Sequence, residues 1–306
     1  MKKIGTALSL LFLIALSVSA QSPPTLRIVT ETPGLPSELF YGDVKVKPVR
    51  LRPGTNQVIT VDDIDFLVQQ QYIDFLGRFP DPTGFQNWVS TVSNCPNLGF
   101  GEFDHPECDR VHMSSGFIFS YEFQGRGYWL LRMGYVGLNR SITDTTTGRT
   151  QRSSLTYSEF IPGLAQIGGS NSPAQEAAAK IVYANTFVTR TDFLTLFPNS
   201  DSNATYVNKL ETNAGVTLSN KQTLVDGLNG GTMTRADVLR NVVESNEVFQ
   251  KYLIPSFVDM EYKGYVRRDP DPIGYNNWID TLKANPSDYR HMIFGFIYSS
   301  EYRNRF

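Results

Sequence analysis

The residue types able to do chemistry fall in a repeated pattern. Arg78-Phe-Pro-Asp81-Pro-Thr-Gly84-Phe-Gln-Asn-Trp88 returns 190 positions later as Arg268-Asp-Pro-Asp271-Pro-Ile-Gly274-Tyr-Asn-Asn-Trp278. Over the fourteen residues that begin at Phe75 and Tyr265, seven are identical. Aspartate followed by proline is the chemistry of a helix start: the carboxylate caps free N–H groups, and proline at the first helical position sacrifices no hydrogen bond. Gly84 and Gly274 admit a close neighbour, and Trp88 and Trp278, one turn later, are apolar anchors. Arg78 and Arg268 are placed to reach the capping carboxylate or helix-end carbonyls. The competing chemistry is calcium, because Asp269-x-Asp271-x-x-Gly274 imitates the start of an oxygen-ligand loop. Phe79 stands where the first copy would need Asp269, and no bidentate Glu closes the loop, so no metal site is expected here. Asn199, Asp201 and Asn203 are read as helix-capping polar residues for the same reason.

A second block repeats as well. His112-Met-Ser-Ser-Gly-Phe-Ile-Phe-Ser-Tyr-Glu-Phe123 shares seven of twelve residues with His291-Met-Ile-Phe-Gly-Phe-Ile-Tyr-Ser-Ser-Glu-Tyr302, at an offset of 179. The two His lack a partnering nucleophile or carboxylate set, so each is expected to cap or pack beside its own helix. Glu122, Glu247 and Glu301 share a Ser-x-Glu pattern near helix ends. Paired carboxylates are the machinery of glycoside hydrolysis, but repeated ones are expected to bond Arg, Tyr hydroxyl or backbone groups. We therefore expect no catalytic residue, no cofactor site and no enzyme activity. The two offsets differ by eleven residues, and the segment responsible carries Cys95 and Cys108, the only cysteines. With no CxxC nearby, they are expected to form a structural disulfide, contributing about 3 kcal/mol by closing a loop of that size.

The first 20 residues read as a removable Sec-type leader. Lys2 and Lys3 precede an apolar run from Ala7 to Val18, and Val18-Ser19-Ala20 offers a cleavage point after Ala20. That run is too short to span a bilayer, and no later segment is long and apolar enough. We expect a secreted, periplasmic or cell-surface protein with no transmembrane anchor after cleavage, where disulfides persist. Hydrophobic residues at 41% with 20 Phe and 15 Tyr exclude a disordered polar chain. A net charge of −2 leaves no broad footprint for nucleic acid. Three His and two Cys make His-rich or thiolate metal sites hard to build.

These residues need helices to position them. Residues 21–60 carry frequent Pro and Gly with β-leaning pieces at 26–30, 44–47 and 57–60, an extended arm. Thr60-Val61-Asp62-Asp63 resembles a capping box, and Ile64, Leu67, Val68, Tyr72, Phe75 and Leu76 then follow helical spacing. The body is read as mainly all-α, a helical bundle of three divergent repeats: 61–140 with the disulfide loop, a degenerate copy at 173–250, and 251–306. Residues 141–172 are a linker and short helix. In the middle copy, Tyr206–Leu210 is set against Trp278–Leu282, and the PDPxG turn is lost.

The Gly77-Arg78…Gly84…Trp88 motif, the closing Ser-x-Glu-Phe/Tyr pattern and Leu228…Gly231-Thr-Met-Thr-Arg235-Ala-Asp-Val-Leu239 resemble the exported bacterial domain-of-unknown-function family numbered 4214. That family is related in its helix motif to the phycobilisome linker domain, and the resemblance covers about 61–306. It implies a helical module of large surface or secreted proteins, with scaffolding, adhesion or glycan contact as roles and without catalytic residues or pigment chemistry. The expected function is a structural or interaction module of the cell envelope or extracellular space, its partner a protein or glycan. Carbohydrate binding by exposed Tyr and Trp rings is the alternative, with Trp88, Trp129 and Trp278 as the rings to inspect, and a glycan-active hydrolase follows third.

Overall fold

Short polar side chains decide where the helices start. Asp81 and Asp271 accept from the N–H of Gly84 and Gly274, each at 2.8 Å, with Pro82 and Pro272 leading their helices. Ser120, Ser245 and Ser299 cap the N–H groups of Phe123, Val248 and Tyr302. Thr234 and Asp237 form a full capping box. The box expected at Thr60 is instead a turn: Asp63 Oδ2 accepts from Thr60 N–H at 2.8 Å, and the helix begins after it.

The computed structural model describes residues 26–29, 38–41, 44–45, 52, 54, 56–101, 105–168 and 172–306. The leader expected at 1–20 lies outside the described residues. Within the arm, β1 (Leu26–Val29), β2 (Glu38–Tyr41) and β3 (Val44–Lys45) pair as a three-stranded antiparallel sheet, with Leu26 opposite Tyr41. The piece expected at 57–60 makes only an isolated bridge at Val58.

The body is helical. The first copy holds α1 (Ile64–Gln71), α2 (Pro82–Ser93) and α3 (Arg110–Ile118). There follow α4 (Tyr121–Phe123) and α5 (Trp129–Gly137), joined by a π-helical turn, Gln124–Tyr128. The expected linker is an antiparallel hairpin, β4 (Ser141–Thr143) with β5 (Thr150–Arg152), leading into α6 (Tyr157–Gly168). Next come α7 (Pro173–Phe187), α8 (Thr191–Leu196), α9 (Asn203–Ala214), α10 (Lys221–Asn229) and α11 (Arg235–Glu244). The chain ends with α12 (Asn246–Glu261), α13 (Pro272–Ala284), α14 (Tyr289–Ile297) and α15 (Ser300–Arg303).

Backbone geometry marks the copies more sharply than residue identity. Helix α1 ends in a π-helical turn, Tyr72–Leu76, closed by Gly77 at φ 65°. Helix α12 ends in another, Tyr262–Val266, closed by Arg267 at φ 54°. Helix α9 also closes on a left-handed residue, Gly215 at φ 63°. From these residues to the serine cap of the third α-helix that follows, the chain runs 43, 32 and 30 residues, so the middle copy differs from the third by two. Tyr206–Leu210 therefore belongs to the opening helix of its copy, equivalent to the end of α12, and not to the Trp278 helix. The sequence register was misled because the middle copy kept neither the Pro-Asp-Pro turn nor the tryptophan that would fix it.

A single apolar cluster runs through all three copies. The first and third copies meet through equivalent parts: Phe75 and Tyr265, 190 positions apart, contact edge to face at 5.0 Å, and α3 packs on α14. Asp109 binds Arg290 at 2.5 Å across that seam, Phe119 stacks on Phe257, and Asp62 binds Arg303. The Cys95–Cys108 disulfide is formed, with Cα atoms 5.5 Å apart. Its loop reaches the seam, where Phe100 contacts Tyr298, just past the end of α14, and covers the Arg110 guanidinium.

Candidate functional site

The repeated residues assemble the same joint twice. Arg78 stacks over the Tyr72 ring at 5.0 Å and grips Glu122 with two hydrogen bonds, 2.7 and 2.9 Å. Arg268 stacks over Tyr262 at 5.2 Å and grips Glu301 at 2.6 and 3.1 Å. Each also donates to the next residue's carbonyl at 3.1 Å, with the Asp81 or Asp271 carboxylate 3.7 Å away. The hydroxyls of Tyr72 and Tyr262 sit where a Cβ on Gly84 or Gly274 would go, so only glycine fits. The grip of Glu122 raises the Arg78 pKa, and the Gly84 N–H holds the Asp81 carboxyl below its ordinary value. Planar, two-pronged and stacked, this is arginine chemistry that lysine cannot reproduce. The Ser-x-Glu glutamates thus lie in the first turns of helices. Glu247 takes the Ser219 N–H at 3.0 Å, since the middle copy has Val216 after its left-handed residue.

The tryptophans divide. Trp129 is 1% exposed and donates to Glu244 at 2.9 Å. Trp88 and Trp278 are half-buried. Trp88 lies against Gly116, with Phe117 and His112 beside it, whereas the equivalent Gly295 has nothing near it. The exposed rings are others: Tyr121 at 90% and Phe79 at 72%. Both adjoin the first joint, next to Glu122 and Arg78 respectively. Tyr121 lines a cleft of about 630 Å³ with Arg78, Glu122, Arg126, Glu176 and Lys180. Its charges alternate, Arg126 bridging Glu122 and Glu176 while Lys180 binds Glu176 at 2.8 Å.

Residues 255–306 match the domain of unknown function DUF4214. That segment is a DUF4214 domain. It contains the whole second joint, from Tyr262 to Glu301, and the first copy builds the same geometry outside the matched residues. Comparison with curated proteins and with solved structures gives no match.

The DUF4214 segment also holds a cluster that sequence reasoning missed. Lys263, its side chain 1% exposed, binds Asp259 and, at 3.0 Å, Asp269. Asp259 accepts from Tyr135, whose hydroxyl meets that of Tyr275 at 2.9 Å. Burial pushes Asp259 up, and Lys263 offsets this only in part. Asp269 also accepts from Tyr157 N–H at 2.8 Å, capping α6, so its carboxylate is committed to protein partners and does not form the calcium loop its spacing suggested. The set closes a cavity of about 190 Å³ beneath the hairpin. A signal was present: Asp259, Lys263, Asp269 and Tyr275 replace Gln69, Ile73, Phe79 and Phe85 of the first copy together.

His112 and His291 stay apart in role, the first edge-on to Trp88 and the second 3.5 Å from Asp288. Asp201 binds Lys209 at 2.7 Å and Asn203 binds Asn229 at 2.9 Å, so these two neighbours in sequence are engaged with different partners. Among the described residues no group of three His, Cys, Asp or Glu is arranged to hold a metal, and no helix is long and apolar enough to cross a membrane.

Proposed function

We propose that this protein works by binding and not by catalysis, as a helical-repeat interaction module of the cell envelope or extracellular space, with a glycan as ligand. One observation carries the reading: Tyr121, almost fully exposed, stands at a cleft lined by paired arginines and carboxylates. A bare ring offers a stacking face to a sugar, and planar charged groups beside it offer hydroxyls fixed donors and acceptors. Trp129, being buried, takes no part, Trp88 and Trp278 are half-buried, and the most exposed rings are Tyr121 and Phe79. The disulfide supports an oxidising compartment, as does the leader read at 1–20.

The test is a glycan array with the intact protein, followed by calorimetry on the best ligand. Tyr121→Ala is expected to weaken binding about tenfold, the scale of one ring contact, with the melting temperature unchanged. An array without hits, together with Tyr121-dependent capture of an envelope protein, would replace the glycan by a protein partner.

A further inference from the structure

The middle copy carries its own cleft, and its charge differs in kind from the one beside Tyr121. Of about 680 Å³, it is lined by Arg152, Lys209, Lys251, Asn208, Asn213 and Tyr252 among others, with no Asp or Glu in its wall. The two clefts share one matched position. Lys251 follows the Ser245 cap by six residues, as Arg126 follows Ser120, and each lies near the left-handed turn of its copy. At the first copy every lining cation named above faces a carboxylate. At the middle copy neither Arg152 nor Lys251 does among the described residues.

Arg152 donates to the carbonyls of Tyr135 and Leu138 at 2.7 and 2.9 Å, to Asn213 and to the Asn139 side-chain oxygen. Its guanidinium also acts on the Tyr252 hydroxyl, whose pKa it lowers against the larger effect of burial. Lys251 donates to Gly215 O and Tyr252 to Ala214 O. These carbonyls belong to the ends of α5 and α9, each worth about half a negative charge. Asp201, behind the wall, offsets Lys209. Three cations against one carboxylate and two helix ends leave roughly one positive charge in a ligand-sized cleft. Asn208, Thr205 and Thr212 add neutral polar groups suited to hydroxyls.

From this geometry we propose that the middle copy binds an acidic sugar, its carboxylate or phosphate drawn to Arg152 and Lys251. The site is independent of the Tyr121 cleft. The test is titration of the intact protein, followed by NMR or calorimetry, with galacturonic acid, glucose 6-phosphate, glucose and inorganic phosphate. At least one acidic sugar is expected to bind about tenfold or more tightly than glucose and than phosphate alone. The tighter of the two identifies carboxylate or phosphate as the anion. Raising salt from about 50 to about 300 mM is expected to weaken that binding. Because Arg152 also ties helix ends, the diagnostic variants are Lys251→Gln and Lys209→Gln, each expected to lose about fivefold with the fold intact. Equal binding of glucose, no binding of any probe, or indifference to both lysine variants would overturn the proposal.

Discussion

Glu261 is an uncompensated carboxyl in the core. It is fully buried, neither carboxyl oxygen has a hydrogen-bond partner, and burial pushes its pKa well above the ordinary 4.5. A folded-state pKa raised above the unfolded one gives stability that is complete below about pH 4.5 and lost as pH rises toward the folded value. The equivalent residue in the first copy is Gln71, and Glu261→Gln is its neutral isostere. Urea melts are expected to show a gain on the order of 2 kcal/mol at pH 8, the scale of a buried unpaired polar group, shrinking toward zero at pH 4. A gain independent of pH would refute the titration. Two glycines at matched positions give a second test. Gly116→Ala drives a methyl into the Trp88 ring, an overpacking cost of about 1–3 kcal/mol. Gly295→Ala meets open space in a helix and is expected to stabilise by about 0.5–1 kcal/mol. Melting temperatures moving in the same direction for both would contradict the packing described.

At the scale of elements, each joint ties the start of one helix to the start of another. The first joint is the less exposed, and its Glu122 is shared with Arg126. Arg78→Ala is therefore expected to cost roughly 1–2 kcal/mol and Arg268→Ala less, nearer the value of an exposed pair. Equal losses in denaturant melts would argue against this ranking. The residues of the joint were legible in the sequence, because Arg, Asp, Gly and Glu recur at matched places. Their pairing was not, since Arg78 and Glu122 are 44 residues apart and Arg268 and Glu301 are 33 apart. Nor were the π-helical turns, which leave no periodicity to read. Helix existence, the two Asp caps and the disulfide were readable because each rests on local chemistry. The hairpin at 141–152, the register of the middle copy and the Lys263 cluster rest on contacts distant in sequence.

At the scale of the whole molecule, the disulfide loop is wedged between the first and third copies. The third copy lacks this loop, so reduction would spare it if the copies stood apart. The Asp109–Arg290, Phe100–Tyr298 and Asp62–Arg303 contacts argue for a shared fate. Replacing Cys95 and Cys108 by Ser is expected to cost about 3 kcal/mol and to move both copies in one calorimetric transition. A separate transition for the third copy, or no change, would overturn this. Acid acts elsewhere. Burial raises Glu159, but hydrogen bonds from Arg140, Arg190 and Thr156 outweigh it and hold the carboxyl far below 4.5. Its stabilisation is present above about pH 4.5 and lost as pH falls, so Glu159→Gln is expected to weaken the protein at pH 7 and flatten its acid unfolding. The meeting of the first and third copies has one more consequence. Phe75 against Tyr265 and α3 against α14 is how two subunits of an isologous dimer meet, like against like. The seam is a dimer interface written into one chain. A 255–306 fragment freed from its neighbour presents that half-interface to solvent, and in sedimentation it should pair with itself.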